Sequence, residues 1–250
     1  MDAKSLYNMA YNKFTPDFIS KQNIRKIDAY LLKNSESLID FIDKYILQFN
    51  LTEKLSGTDW LELGCGLGSL ASYIQDKKGH YYGMDFSELA ISQAKLVNDI
   101  KEENAVFILE DITNKNVKIG RQFDFIIDSH LLHCLTKDIE RKQYFEFIKS
   151  HLKPDGILLV ETMCFDRNMS IPIGYEFCED FTLKKEIQNQ FYPIRAIKRA
   201  KDIEEEIQLS ALKIKTFFYH AELGFNIYEE FPNFNTDHLP RTLRFSLGLA

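Results

Sequence analysis

The four cysteines of this 250-residue chain, Cys65, Cys134, Cys164 and Cys178, form no C-x-x-C pair and stand beside no histidine array. Neither a metal site nor a disulfide framework is therefore expected, and free thiols in a reducing compartment fit better. No stretch approaches the roughly 18 uninterrupted apolar residues that a membrane-spanning helix needs. The opening Met1-Asp2-Ala3-Lys4-Ser5-Leu6 also lacks the apolar centre of a secretory leader, so a cytoplasmic protein with no membrane partner is expected. Positive charge is in deficit, with 31 Lys and Arg against 37 Asp and Glu. The basic runs Lys184-Lys185 and Lys198-Arg199-Ala200-Lys201 are each followed by acids and read as solvated helix faces, so a nucleic-acid partner is not expected. Low-complexity tracts and internal repeats are lacking as well. At 45% hydrophobic residues the chain can bury a substantial core, and its length suits one α/β domain.

What stands out against these absences is Leu61-Glu62-Leu63-Gly64-Cys65-Gly66-Leu67-Gly68-Ser69. An apolar run ending in an acid and three glycines within five residues describes a strand turning sharply into a helix. Glycine has no Cβ to forbid positive φ or to block a ligand pressed on the backbone, so this density points to ligand contact more than to packing. The spacing is G-x-G-x-G, and Ser69 stands where the dinucleotide fingerprint keeps its third glycine, which disfavours a nicotinamide oxidoreductase.

Around this turn the pattern alternates in βα fashion. Strands are expected at Trp60 to Leu63, His80 to Met84, Ala105 to Glu110, Phe123 to Asp128 and Ile157 to Glu161, the last after a Pro154-Asp155-Gly156 turn. Helices are expected at Ser69 to Gln75, Ser87 to Asn98, Asp138 to Leu152 and Lys201 to Leu212. Ile139, Tyr144, Phe145, Ile148 and Leu152 would form the inner face of the third of these. Two further strands, Ile214 to His220 and Thr242 to Leu249, complete an α/β, doubly wound, mostly parallel seven-stranded sheet. Before it, Leu38, Phe41, Ile42, Tyr45, Ile46 and Phe49 recur at helical spacing, one buried stripe of an N-terminal helical cap. The expected organisation is a cap over residues 1–50, a ligand-binding core over 51–164, an insertion over 165–200 and a C-terminal helix and strands over 201–250.

The order of glycine turn, Tyr82-Gly83-Met84-Asp85, Glu110-Asp111-Ile112, the Asp128 strand end and Leu152-Lys153-Pro154-Asp155-Gly156 resembles the class I S-adenosylmethionine-dependent methyltransferases across roughly residues 59 to 163. The segment Asp128-Ser129-His130-Leu131-Leu132-His133-Cys134, with Glu161-Thr162-Met163-Cys164, is similar to a D-x-H-x-L-H-C variant of motif IV in a bacterial group whose substrates are mostly unassigned. That resemblance implies a Rossmann-like fold with the last strand antiparallel between the fifth and sixth. It implies S-adenosylmethionine as cofactor, bound by Glu62, Gly64, Cys65, Gly66, Asp85, Phe86, Asp111, Ile112 and Asp128, with Tyr11 on a lid formed by the segment from Leu6 to Ile19. Asp85 would take the ribose hydroxyls, Asp111 in preference to Glu110 the adenine amino group, Ile112 the ring, and Glu62 the methionyl end.

The string at Asp128 is not the N-P-P-Y or D-P-P-Y tetrad of amino-methylating DNA enzymes, a second argument against a nucleic-acid substrate. A protonated acceptor must lose its proton, so His130 or His133 is the candidate general base, with His130 favoured because it is nearer the strand mouth. The insertion carries Tyr175, Phe177, Phe181, Phe191, Tyr192, Pro193 and Arg195, a composition that suits either the roof over a small, partly apolar, anionic acceptor or a homodimer interface. The expected activity is methyl transfer to N, O or S of a small molecule. A protein methyltransferase and a non-catalytic S-adenosylmethionine-binding protein are the alternatives.

Overall fold

A computed structural model describes residues 11–20, 22–101, 104–165, 169–224 and 239–250. Seven strands form one sheet in the order β3-β2-β1-β4-β5-β10-β9. The first five are β1 (Asp59–Leu63), β2 (His80–Asp85), β3 (Ala105–Leu109), β4 (Phe123–Ser129) and β5 (Leu152–Cys164), all parallel. The last strand, β10 (Arg241–Leu249), runs antiparallel between β5 and β9 (Leu212–Gly224), as the resemblance implied. Because β1 lies centrally between β2 and β4, the chain reverses its winding direction there, and the switch point opens at the C-terminal strand ends.

The period-2 alternation of β1 divides the core. Leu61 and Leu63 face one layer with Ile126, Leu158 and Val160, against α4 (Asp138–His151) and α5 (Ala200–Leu209). Trp60 faces the other layer with Phe125, Ile127 and Leu159, against α1 (Ile24–Gln48) and α2 (Ala71–Asp76). The Trp60 and Phe125 rings stack with centroids 4.0 Å apart. On α1 the expected stripe is buried from Leu38 to Ile46, but Phe49 is 40% exposed because the helix ends at Gln48. On α4, Tyr144, Phe145 and Ile148 are buried, whereas Ile139 is 52% exposed on the first turn. The remaining helix, α3 (Glu88–Lys101), joins β2 to β3 and helps cover an N-terminal cluster built on Phe14, Ile19, Ile27 and Leu31.

Two segments differ from expectation. Pro154-Asp155-Gly156 is not a turn ahead of β5 but an irregularity inside it: the pairing passes from Phe123–Leu152 to Phe125–Ile157, so the intervening residues bulge outward. The insertion is itself a sheet, with β6 (Tyr175–Phe177), β7 (Thr182–Ile187) and β8 (Gln190–Ala196) antiparallel in sequence order. Gln188 and Asn189, both at positive φ, make the tight turn between β7 and β8. Leu183, Ile194 and Ile197 bury one side of this small sheet against Met163 and Leu239.

All four cysteines are free, two of them buried and Cys134 and Cys178 only partly so. Among the described residues no helix is long and apolar enough to cross a membrane. Nor is any group of His, Cys, Asp and Glu arranged there to hold a metal ion.

Candidate functional site

The register of the sheet builds the site. Leu63 pairs with both Met84 and Asp128, and Asp85 pairs with Leu109, so the residues following β1, β2, β3 and β4 emerge along one edge. A cavity of about 410 Å³ opens there, within the range of small-molecule and cofactor sites. Gly64, Cys65, Gly66, Asp85, Phe86, Asp111, Ile112, Tyr11 and His130 all line it, and so do Glu110 and Arg195.

Gly64, Gly66 and Gly68 all adopt left-handed φ, +68°, +52° and +79°. Their reasons differ. A Cβ on Gly66 would stand 2.9 Å from the Tyr11 hydroxyl at the cavity wall, whereas one on Gly68 would meet the Phe107 ring at 2.9 Å. Gly68 therefore serves packing, and the expectation that all three glycines reflect ligand contact is corrected for that position. Asp85 ties the turn to β2: the backbone N–H of Gly66 donates to Oδ2 at 3.1 Å and that of Ser87 to Oδ1 at 2.9 Å. Burial pushes its carboxyl up from the usual range, and the N–H groups of Ser87, Gly66 and Phe86 oppose that rise.

On the opposite lip, Asp111 accepts from both the backbone N–H and the hydroxyl of Thr113, at 2.8 and 2.7 Å, which shapes the loop carrying Ile112. Tyr11 closes the cavity from the N-terminal segment. That segment is fastened to α3 by Gln93, whose amide donates to the carbonyls of Tyr11 at 3.0 Å and Phe14 at 2.5 Å. Tyr30 and Leu31 of α1 also line the cavity. Residues 6–10 of the expected lid, Tyr7 among them, lie outside the described residues.

Three expected site residues stand behind the wall instead of on it. Glu62 has no exposed surface; it shares the Trp60 face of β1 and accepts from the Tyr81 hydroxyl at 2.5 Å, the Ser69 hydroxyl at 3.0 Å and the Leu70 N–H at 3.4 Å. Its carboxylate thus binds the glycine turn and the residue preceding α2. Asp128, equally buried, accepts the Leu131 N–H at 2.6 Å and the Leu132 N–H at 3.0 Å, and burial pushes its pKa up to about 6 against those bonds and the Tyr144 hydroxyl. His133 is 2% exposed. Its Nδ1 accepts the Met163 N–H at 3.2 Å and lies 3.2 Å from the Thr162 hydroxyl. Burial, with the charges of Arg195, His130 and Arg141, holds its pKa well below the usual imidazole value, so the ring is neutral.

His130 reaches the cavity on a backbone at φ +67°, which a non-glycine residue adopts at a cost. The two N–H groups fixed by Asp128 hold the chain in that shape. His130 and His133 keep their ring centroids 6.0 Å apart, on one side of the turn as their spacing implied. His130 Nε2 lies 2.9 Å from Glu161 Oε1.

Glu161, Tyr30 and Leu31 are residues that the sequence reading did not place in the site, whereas Arg195, named there in the insertion over an acceptor pocket, lines the cavity. A signal for the first was available: a single acid in Leu158-Leu159-Val160-Glu161 and a single base in Leu243-Arg244-Phe245 interrupt two apolar strands, and the sheet pairs them.

Residues 54–226 match the family model described as a methyltransferase domain. The curated phosphoethanolamine N-methyltransferase 1 of Triticum aestivum is 27% identical over 113 residues, 45% of this chain and 23% of that protein, so the match spans less than a quarter of that relative's length. Among solved structures, an S-adenosylmethionine-dependent methyltransferase from Clostridium acetobutylicum superposes with a TM-score of 0.60 at 17% identity, covering 84% of this chain and 90% of that one. A protein of Pyrococcus horikoshii OT3 gives a TM-score of 0.60 at 18% identity, covering 96% and 99% of the two chains. These structural likenesses bear on the fold.

Proposed function

The chain belongs to the methyltransferase family whose donor is S-adenosylmethionine, and from that membership we propose that its cavity transfers a methyl group to N, O or S of a small, anionic acceptor. The carrying observation is the convergence on one cavity of the left-handed glycine turn, the Asp85 carboxylate, the Asp111-Ile112 loop and His130. The donor fits these residues: the bare backbone at Gly66 lies beside Asp85, and a Cβ there would close the gap to Tyr11.

Asp85 would hold the ribose hydroxyls, Asp111 the adenine amino group and Ile112 the ring, with Gly64, Cys65, Gly66 and Phe86 forming the remaining cradle. When bound, the donor supplies a methyl group on a positively charged sulfur, open to in-line attack. His130 then takes the acceptor's proton, while Tyr11, Tyr30 and Leu31 exclude water and fix the approach. Glu62 and Asp128 act indirectly, by holding the glycine turn and the His130 backbone. His133, neutral and buried, supports the wall.

Arg195 on β8 carries the acceptor preference. It lines a cavity whose other ionisable walls include Asp85, Glu110, Asp111 and Glu140, so a negative group finds its complement at that guanidinium. A phosphate-bearing acceptor, of the kind named for the wheat relative, meets this requirement. Residues 165–200 reach the acceptor pocket in this reading through Arg195, the one among their described residues that lines the cavity.

Titration calorimetry with S-adenosylmethionine, its demethylated product and NAD tests the donor, and mass spectrometry of cell extract incubated with the enzyme and donor tests the transfer. The expected results are heat from the first two ligands only, and products heavier by about 14 daltons. Binding of NAD with no heat from S-adenosylmethionine would sink the reading.

A further inference from the structure

Glu161 has no exposed surface, yet it sits in β5 between Val160 and Thr162 with an ionisable group on either side of it. Its register partner on β10, Arg244, donates Nε–H to Oε2 at 2.7 Å, and the Ser37 hydroxyl donates to the same oxygen at 2.8 Å. Arg244 is held in turn by α1, its Nη2 donating to the Ser37 carbonyl at 2.7 Å and its Nη1 lying 3.3 Å from Asp40 Oδ2. The other carboxylate oxygen, Oε1, meets His130 Nε2 at 2.9 Å.

A carboxylate and a guanidinium buried in an apolar sheet are costly to desolvate and gain little stability over packed hydrocarbons. This pair leads to the cavity through one imidazole, and that imidazole rides on a strained left-handed backbone at φ +67°. Two independent devices, Asp128 on the main chain and Glu161 on the ring, therefore aim the same side chain. Burial acts to raise the Glu161 carboxyl, but the hydrogen bond to His130 and the hydrogen bond and charge of Arg244 act against it, and the group lies below the ordinary carboxylate range. Glu161 is thus ionised and can only accept, so the shared proton resides on Nε2.

Resting on the reading of the cavity as a methyl-transfer site, we propose that Glu161, braced by Arg244 and Ser37, is a positioning residue that fixes neutral His130 in its Nε2–H tautomer and thereby makes Nδ1 the atom that takes the acceptor's proton. As the acceptor's electron pair forms the bond to the methyl carbon, the methyl–sulfur bond breaks with its electrons left on the now neutral sulfur; the acceptor's proton passes to Nδ1, the Nε2–H bond stays intact, and Glu161 faces the resulting imidazolium without being protonated.

Long-range proton–nitrogen correlation spectra of the histidine rings in the full chain, at a pH where the ring is neutral, read the tautomer directly; His130→Asn assigns the signal. The wild-type ring is expected almost wholly in the Nε2–H form. Glu161→Gln leaves Arg244 buried without its carboxylate and endangers folding, so Glu161→Gln/Arg244→Met is made beside it, with the backbone amide spectrum as the check on structure. In the folded variant the ratio of Nε2–H to Nδ1–H should fall about tenfold or more, the worth of one charge-assisted hydrogen bond. A wild-type ring in the Nδ1–H form, or an unchanged ratio in a folded variant, would overturn the proposal. Neither readout needs donor or acceptor, so failure to bind S-adenosylmethionine would remove the functional reading and leave the tautomer result standing.

Discussion

Replacing Asp128 by asparagine separates the electrostatic cost of this residue from its hydrogen bonds. The carboxyl is fully buried, and its pKa is raised from 3.8 to about 6. A folded-state value above the unfolded one means that the native protein prefers the neutral acid. The contribution is therefore fully present below pH 3.8 and is lost as pH rises through about 6. At about 1.4 kcal/mol per pH unit, the whole loss is about 3 kcal/mol, of which about half falls between pH 5 and 8. Asparagine is neutral throughout and escapes this loss. Its amide has one acceptor, which can keep the Leu131 N–H, while the NH₂ must face the Leu132 N–H that Oδ2 accepts in the parent. That mismatch costs about 1–3 kcal/mol at every pH.

The two effects nearly cancel at neutral pH, so a single stability measurement decides nothing. The slope does. Urea unfolding of parent and Asp128→Asn at half-unit steps from pH 5 to 8 should show the variant gaining on the parent by about 1.4 kcal/mol as pH rises, with most of the change below pH 7. Parallel stability curves would refute the claim that Asp128 is held as a strained, desolvated carboxylate. Its bonds from the Leu131 and Leu132 N–H groups would then be made by a carboxylate that carries no desolvation cost.

Asp85→Ala should weaken S-adenosylmethionine binding by about 1.5–3 kcal/mol in calorimetry. It should also lower the unfolding midpoint, because the Gly66 and Ser87 N–H groups lose their acceptor; unchanged affinity in a folded variant would remove the ribose role. His130→Ala should cut turnover of the true acceptor roughly 100-fold or more with donor affinity retained. His133→Ala should chiefly cost stability, about 1–3 kcal/mol for the stranded Met163 N–H, and equal losses of turnover in the two variants would undo the division of labour between them.

The parallel half of the fold was legible because its signals are local. Mostly apolar runs, Trp60-Leu61-Glu62-Leu63, Phe125-Ile126-Ile127 and Ile157-Leu158-Leu159-Val160, mark β1, β4 and β5 as strands buried on both faces, and glycines requiring positive φ mark where β1 stops. The β7–β8 hairpin was not legible. Lys184-Lys185-Glu186 break its alternation, and its turn uses Gln188 and Asn189 at positive φ where an Asn-Gly pair would have announced it. A similar limit applies to Pro154-Asp155-Gly156, whose turn chemistry is the same inside a bulge as between two elements.

The candidate site divides along another line. Glu62 and Asp85 are both acids at the ends of buried strands, and no local pattern distinguishes them. What separates them is the face of the sheet. Glu62 follows Trp60 by two residues and so points into the layer of α1 and α2, where the Leu70 N–H and the Tyr81 hydroxyl claim it. Asp85 is the terminal residue of β2 and meets the glycine turn from the open edge. Gly83, between Tyr81 and Asp85, shows the cost of that arrangement, since a Cβ there would lie 2.6 Å from the Tyr81 hydroxyl that reaches Glu62. Glu161 and Arg244 escaped for a longer-range reason: 83 residues separate them, and only the antiparallel insertion of β10 beside β5 makes them neighbours. Local sequence therefore marked the strand ends that meet at the cavity, while which face each residue takes, and the Glu161–Arg244 pair that reaches His130, depend on strand order and register, which appear only in the assembled sheet.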